Sequence, residues 1–502
     1  MNTAFPRQPA TRLKRWAIAR LPAALFGTGR VLLFTRFSPL RPAARLLLHE
    51  NLGALRDNFD RAFYLSQIAS GWDRRCAMRD PPLHYLCLGQ YLGLSPALDF
   101  DPRHYRDENP ELRSAGNLFL HYLRHGRAEG RTPHPLAARA PPENGPVALA
   151  LDHQRGGGST KYLDLYERRL ANEGFTPLRL RRLPGRTPQF LIGDTQVIDP
   201  FVNEDAFIAT ATRLDTRRLV MNHYIDLPVT APDWTRRIAA RLGVEYEVIL
   251  HDYFLACRRI DLIDRNRHYC GLAPVETCQT CLAGFANRAD PAEWRRSAHR
   301  LLSDAARVVV PSADLATRIA KAFPGIRPEV FEPEDDTAWP AEALPNIAPD
   351  EPLRLAVIGS LNVPKGADVI ARLARELAAR RAPLQIVVLG KAAESRALRR
   401  HSVIVTGRYR EADIDELLAR HRAHAVFFPA IWPETWSFVL SIALRNGLPV
   451  IAFDIGAIAA RLRRLGRGTV LPYAMSENAA ALADALLAQR AAWRTGRAGE
   501  GG

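Results

Sequence analysis

Short apolar runs alternate with amphipathic stretches over most of the chain. Residues 147–151, 218–221, 247–250 and 308–310 read as buried strands in the first part of this pattern. Residues 355–358, 385–389, 403–405, 425–428 and 450–453 read the same way in the second. The runs are mostly β-branched or aromatic, and most precede a helical periodicity. Each series therefore predicts a parallel sheet covered by helices on both faces. Between the series, residues 323–352 hold seven prolines and eight acidic residues, which predicts an irregular, exposed linker. Two such α/β domains, over 146–330 and 351–490, predict a cleft between them, with ligands beyond the carboxyl ends of the strands.

Ahead of these domains lies an internal repeat. Phe59, Asp60 and Tyr64 return as Phe100, Asp101 and Tyr105, an offset of 41 residues. His84, Tyr85, Leu86, Gly89 and Gly93 return as His121, Tyr122, Leu123, Gly126 and Gly130, an offset of 37. Units of this length stack small helices on a shared face, so residues 51–135 are predicted to form a two-repeat helical module. The recurring aromatic and His positions are then packing residues first and sugar-stacking positions second. A Pro-rich stretch with Pro133, Pro135, Pro141, Pro142 and Pro146 separates the module from the first sheet.

The length of 502 residues exceeds what one core serves and agrees with two or three domains. The net charge of +16 suggests a polyanion partner, yet only five of the 69 basic residues are Lys. Such Arg dominance, beside abundant Ala and Leu, reflects a GC-rich genome more than a basic surface. No nucleic-acid-binding motif or aromatic-basic platform accompanies it, so nucleic acid is not expected as a partner. The basic segment 1–50 has no run of about 20 clean apolar residues that would span a bilayer. Trp16, Leu21, Leu25, Phe26 and Leu32 beside Arg12, Lys14, Arg15 and Arg20 admit two readings. One is a tail that frays or packs on the next domain; the other is a peripheral contact with an anionic membrane surface. The expected location is the cytoplasm, with the inner membrane as the surface in the second reading.

Three stretches at strand ends carry candidate chemistry. Asp152–Ser159 contains Gly156, Gly157 and Gly158 between a strand and a helix, where a backbone can approach a phosphate or sugar. Gly359–Gly366 carries Lys365 near a helix start, placed either to neutralise a diphosphate or as a solvated lysine. Phe428–Phe438 carries Glu434, Thr435, Trp436 and Ser437. By spacing alone Glu434 serves equally as a helix cap or as an acceptor for sugar hydroxyls.

These stretches resemble the retaining glycosyltransferases of family 4, which have the GT-B fold of two Rossmann-like domains facing a cleft. The resemblance covers residues 146–490 and is specific in the C-terminal half. It implies that Lys365 contacts the donor diphosphate and Glu434 the donor sugar. It implies donor contacts for Gly359, Gly407, Arg408, Thr435, Trp436 and Ser437 as well. In that family a second Glu, eight residues after the first, binds the ribose; this chain has Ile442 there. If position 442 borders the nucleotide pocket, Ile442→Glu would tighten nucleotide binding. His251, ending a buried strand in Leu250-His251-Asp252-Tyr253, would by resemblance touch the donor sugar, and it equally suits a structural role. The usual proposal for retaining members is front-face attack with the leaving phosphate as base. No side-chain nucleophile or cofactor is then required.

Cys257, Cys270, Cys278 and Cys281 fall within 25 residues. Thiolates at this density suit structural zinc, with an iron–sulfur cluster, disulfides or plain thiols as alternatives. The segment resembles a cysteine-bearing insertion after the His-Asp-Tyr strand of some family members. The function these features imply is transfer of a sugar from a nucleotide-sugar donor to a glycan or lipid-linked acceptor, in surface polysaccharide synthesis. The rival is a non-catalytic glycan-binding or scaffold protein in which Ile442 marks a decayed donor site.

Overall fold

The computed structural model describes residues 40–494 apart from 69–71, 98, 115, 135–144, 154–156, 184–188, 193–194, 198, 284–288 and 394. Most of the basic segment, the Pro-rich stretch from 135 to 144, and Gly156 therefore lie outside the described residues. The chain divides into two compact units, Met1–Leu149 with Glu173–Arg217 and Ala150–Asn172 with Arg218–Gly502.

In the first unit the two repeats are built on the same contacts. Asp60 caps helix Arg61–Ser66 by accepting from the Phe63 amide, and Asp101 caps helix Pro102–Asp107 by accepting from the His104 amide. The Asp60 amide donates to the Pro96 carbonyl at 3.0 Å, and the Asp101 amide to the Pro133 carbonyl at 2.8 Å. Tyr64 and Tyr105 are fully buried, and their hydroxyls pair with Nδ1 of His84 at 2.7 Å and of His121 at 3.0 Å. Gly89 and Gly126 make room for these hydroxyls: a Cβ at either would lie 2.0 Å from the tyrosine oxygen. The recurring Tyr64, Tyr85, Leu86, Phe100, Tyr105 and Tyr122 thus belong to one core, together with Phe119.

Strand β1 (Val147–His153) and strand β5 (Thr216–Met221) each run through both units. The first unit also holds β2 (Thr176–Leu183), antiparallel to β3 (Gln189–Ile192), which is antiparallel to β4 (Thr195–Val197). In the second unit β5 pairs in parallel with β6 (Glu245–Ile249), β6 with β7 (Arg307–Val310) and β7 with β8 (Glu329–Val330). Glu247 is fully buried at the middle of this ladder. It accepts from Arg218 on β5 at 2.8 Å, from Arg307 on β7 at 2.8 Å, and from Tyr166 on helix α1 (Gly158–Asn172). One carboxylate therefore ties three strands to a covering helix.

The second sheet comprises β9 (Leu353–Ile358), β10 (Leu384–Leu389), β11 (Ile404–Val405), β12 (Ala425–Phe428), β13 (Val450–Phe453) and β14 (Thr469–Leu471). All its pairings are parallel, in the order β11-β10-β9-β12-β13-β14. Side chains two apart share a face. Leu353, Leu355 and Val357 join one core with helix α2 (Ala367–Arg380) and helix Ala479–Arg494. Ala356 and Ile358 join the other with helices α3 (Phe438–Arg445) and α4 (Gly456–Leu465). The chain adopts the predicted α/β class with an N-terminal helical module; the first sheet departs from the all-parallel expectation at its β2–β4 edge, which is antiparallel. The 323–352 linker is largely irregular but not exposed throughout, because Asp336 and Ile347 are buried. Among the described residues no helix is long and apolar enough to cross a membrane.

Ile442 is 4% exposed, belongs to the α3–α4 core and does not line the pocket that holds Lys365 and Glu434. Ile442→Glu would bury an unpaired carboxylate and is expected to cost several kcal/mol. Denaturant unfolding with and without nucleoside diphosphate checks this. A stable variant with tightened nucleotide affinity would return position 442 to the ligand. In the repeat module, Gly89→Ala is expected to destabilise by about 1–3 kcal/mol through overpacking against Tyr64. Adding Tyr64→Phe should recover part of that loss in the same measurement, since the hydroxyl is the nearest atom.

Candidate active site

The carboxyl edge of the second sheet brings Lys365 and Glu434 together. Lys365 follows β9 and precedes Gly366, whose φ of 83° caps α2 in the left-handed region. A Cβ at Gly366 would stand 2.0 Å from the Pro429 carbonyl oxygen, so only glycine allows the helix start to press on the loop after β12. The Ile431 amide donates to the Pro364 carbonyl at 2.9 Å and fastens the same approach. On the other side, Gly456 at the start of α4 packs on Pro433 and Glu434, where a Cβ would meet the Glu434 nitrogen at 2.6 Å. The Ala457 amide donates to the Glu434 carbonyl at 2.7 Å. The loop between these helix starts holds the buried Glu434 carboxylate 3.9 Å from the half-exposed Lys365 ammonium. Ser360, Phe428 and Ser437 line the same pocket.

The remaining expected donor residues are distributed unevenly. Gly359 directly follows β9, and Ser437 caps α3 by accepting from the Leu440 amide. Thr435 is buried and its hydroxyl donates to the His251 carbonyl. Trp436 is turned away into a charged cluster: its indole N–H donates to Glu334 at 3.1 Å and its ring lies 3.8 Å from the Arg461 guanidinium. Gly407 and the exposed Arg408 follow β11 at the sheet edge, and neither lines the Lys365–Glu434 pocket. Ile442 does not line it either. Of the Gly-rich loop, Gly157 has a φ of 88° and Gly158 opens α1 beside the Phe438 ring, while Gly156 lies outside the described residues. Lys161 on α1 pairs with Glu411 and lies 5.6 Å from the Phe438 ring centre.

The carboxyl ends of β1, β5 and β6 carry a polar network of which the sequence reading singled out only His251 as a contact. Asn222 Nδ2 donates to Asp152 Oδ1 at 2.7 Å, and His251 Nε2 meets Asn222 Oδ1 at 2.6 Å. The Ile225 amide donates to His223 Nδ1 at 2.8 Å, and His223 Nε2 meets Asp252 at 2.8 Å. Burial, aided by His223 and His153, holds the His251 imidazole down to about 3, so it is neutral at physiological pH. Burial would raise the Asp252 carboxyl, but the facing His223 holds it below its ordinary value. Asn222 and His223 directly follow an apolar run read as a strand. Polarity at a strand end, in the absence of a motif, was the available signal for them.

The four clustered cysteines border one cavity of about 500 Å³. All four are free thiols. Among the described residues, no group of three or more His, Cys, Asp or Glu could hold a metal ion. Cys278 instead points at the Ala273 carbonyl at 3.8 Å and receives the Arg295 guanidinium at 3.4 Å. Burial pushes the Cys257 thiol up to about 12, which disfavours the thiolate that binds metal. The expectation of structural zinc at Cys257, Cys270, Cys278 and Cys281 is therefore not supported.

Comparison with known proteins adds a family. Residues 352–489 match the family described as Glycosyl transferases group 1. No curated protein matches the chain. Among solved structures, Anabaena Alr3699/HepE in complex with UDP-glucose is similar at 16% identity and a TM-score of 0.42, over 69% of this chain and 91% of that one. Sucrose-phosphate synthase from Thermosynechococcus elongatus is similar at 16% identity and a TM-score of 0.45, over 70% of this chain and 92% of that one. The apo lipopolysaccharide outer core galactosyltransferase WaaB is similar at 11% identity and a TM-score of 0.42, over 70% and 90%. The second parallel sheet, β9 to β14, lies within the residues that match the group 1 glycosyltransferase family.

Proposed function

We propose that the protein transfers a sugar, with retention, from a nucleotide-sugar donor to a glycan or lipid-linked acceptor in surface polysaccharide synthesis. The observation that carries this reading is the Lys365–Glu434 pair, 3.9 Å apart in one pocket of a group 1 glycosyltransferase domain. The Lys365 ammonium offsets charge developing on the leaving diphosphate, while the Glu434 carboxylate accepts hydrogen bonds from hydroxyls of the donor sugar. Ser437 and Thr435 extend the donor contacts, and Gly407 and Arg408 serve the base. The acceptor oxygen bonds to the anomeric carbon as the bond from that carbon to the phosphate oxygen breaks. The acceptor's proton passes to the departing phosphate, so no protein nucleophile is needed. The 146–330 domain takes the acceptor, the 351–490 domain takes the donor, and the basic N-terminal segment brings the chain to a lipid-linked acceptor at the inner membrane face.

The rival reading is a non-catalytic glycan-binding or scaffold protein with a decayed donor site, since Ile442 departs from the second Glu of the resembled motif. A panel of nucleoside diphosphates tested by thermal unfolding separates the two. A bound nucleotide at a hundred times its Kd stabilises the fold by about 2.7 kcal/mol, and a decayed site gives no shift. With a radiolabelled donor identified by that panel, Lys365→Ala and Glu434→Gln are each expected to lower kcat by about 10²–10³-fold while remaining folded. Transfer at the wild-type rate in both variants would remove the pair from the mechanism.

A further inference from the structure

We propose that Asp152 and Asn222 are positioning residues that hold the His251 imidazole as its Nε2–H tautomer, leaving Nδ1 as a hydrogen-bond acceptor for a hydroxyl of the sugar substrate. This rests on the sugar-transfer reading for the identity of the ligand. The tautomer itself stands on the hydrogen-bond geometry, with the burial that keeps the ring neutral.

A carboxylate only accepts hydrogen bonds, so Asp152 Oδ1, 2.7 Å from the Asn222 amide, must face its nitrogen. Turning the amide over would set two acceptor oxygens against each other with no proton between them. The orientation is therefore set by chemistry rather than by atom naming. Asn222 Oδ1 is then the atom 2.6 Å from His251 Nε2, and an amide oxygen brings no proton. The proton in that bond belongs to Nε2. Because burial keeps the imidazole neutral, with His223 and His153 opposing its charge and Asp252 favouring it, Nδ1 carries a lone pair.

Among the described residues, Nδ1 makes no hydrogen bond within the chain, and it is not one of the sealed polar atoms that lack a partner. It is open to a ligand. The ring is held on other sides by the edge of Tyr162, with centroids 5.0 Å apart, and by the parallel His223 ring at 6.3 Å. His223 is fixed separately, because its Nδ1 accepts from the Ile225 amide and its Nε2–H is thereby assigned to Asp252. A neutral ring with a bare Nδ1 receives an O–H and has no proton to offer a phosphate oxygen at that atom. The network thus selects a sugar hydroxyl over the donor's diphosphate at this position.

The test is NMR on the full chain labelled with 15N-histidine, with His251→Gln assigning the signal, since protonated and bare ring nitrogens have well-separated shifts. Wild type is expected to show His251 protonated at Nε2 alone. In Asp152→Asn, which keeps the shape but frees the 222 amide to turn, the Nδ1–H form should appear, and kcat/KM should fall about tenfold as one hydrogen bond to substrate is lost. Asn222→Leu, which removes the acceptor, should release the tautomer in the same way. A wild-type His251 protonated at Nδ1 overturns the proposal, as does a folded variant of either kind that keeps the Nε2–H form. If no nucleotide or sugar donor acts on the protein while the tautomers behave as expected, the sugar-transfer reading fails and the relay stands.

Discussion

The backbone from Pro429 to Glu434 is pressed between two helix starts, and the site depends on that confinement. A side chain at Gly366 or Gly456 would stand inside this backbone, so the closeness of α2 and α4 is possible only with glycine at both points. Hydrogen bonds from Ile431 to Pro364 and from Ala457 to Glu434 close the packing from either side. A loop held in this way loses little further freedom when a ligand arrives, which is how a scaffold keeps a carboxylate and an ammonium in reach of one substrate. The Lys365–Glu434 separation of 3.9 Å follows from main-chain contacts more than from attraction between the two charges.

The same loop is fastened to the first parallel sheet. The Tyr253 hydroxyl donates to the Pro433 carbonyl at 3.1 Å, and the Thr435 hydroxyl to the His251 carbonyl. Residues flanking Glu434 thereby hold residues flanking His251, so the carboxylate of one sheet edge and the imidazole of the other are positioned by common bonds. Beneath His251, the β5–β6–β7 ladder is joined by Glu247 with Arg218, Arg307 and Tyr166. A buried charge with three donor side chains and no solvent specifies register more than it adds stability. That register decides which residues of each strand emerge at the edge where Asp152, Asn222 and His251 meet.

Apolar runs made the sheets legible, since a strand buried on both faces has no other way to be written. Strands β2 to β4 escaped notice because Arg179, Arg181 and Arg182 break the apolar character of β2. Strand β14 has only three residues. The repeat was legible because Tyr, His and Gly recur together, and each trio packs through one hydroxyl that needs all three. Lys365 and Glu434 could be picked out by position after a strand. Side-chain direction was not legible. Trp436 stands beside Glu434 in sequence but points to Glu334 and Arg461. Cys278 and Cys281 have metal-like spacing, yet Cys278 is engaged by Ala273 and Arg295. Asn222 and His223 passed unseen because their partners are distant in sequence and no local pattern marks them.

The fate of Ile442 follows from what the neighbouring residues Ser437 and Ser441 hold. Arg461 is 2% exposed and donates to Asp336, to the Ser437 carbonyl at 2.9 Å and to the Ser441 hydroxyl at 3.1 Å. Ser441 in turn donates to Glu334, which also receives Trp436. Burial alone would raise the Asp336 carboxyl, but the Arg461 guanidinium draws it down to about 2, so the pair stays charged inside the fold. Rotating α3 to bring position 442 outward would strip Ser441 and the Ser437 carbonyl from that guanidinium, and an unpaired buried charge is far costlier than a lost apolar contact. The helix therefore keeps its polar face toward Arg461 and its Ile442 face toward β12 and β13. In this rotation the isoleucine fills the core it shares with Leu440, Ala443 and Ile458, and it is the residue that the packing requires.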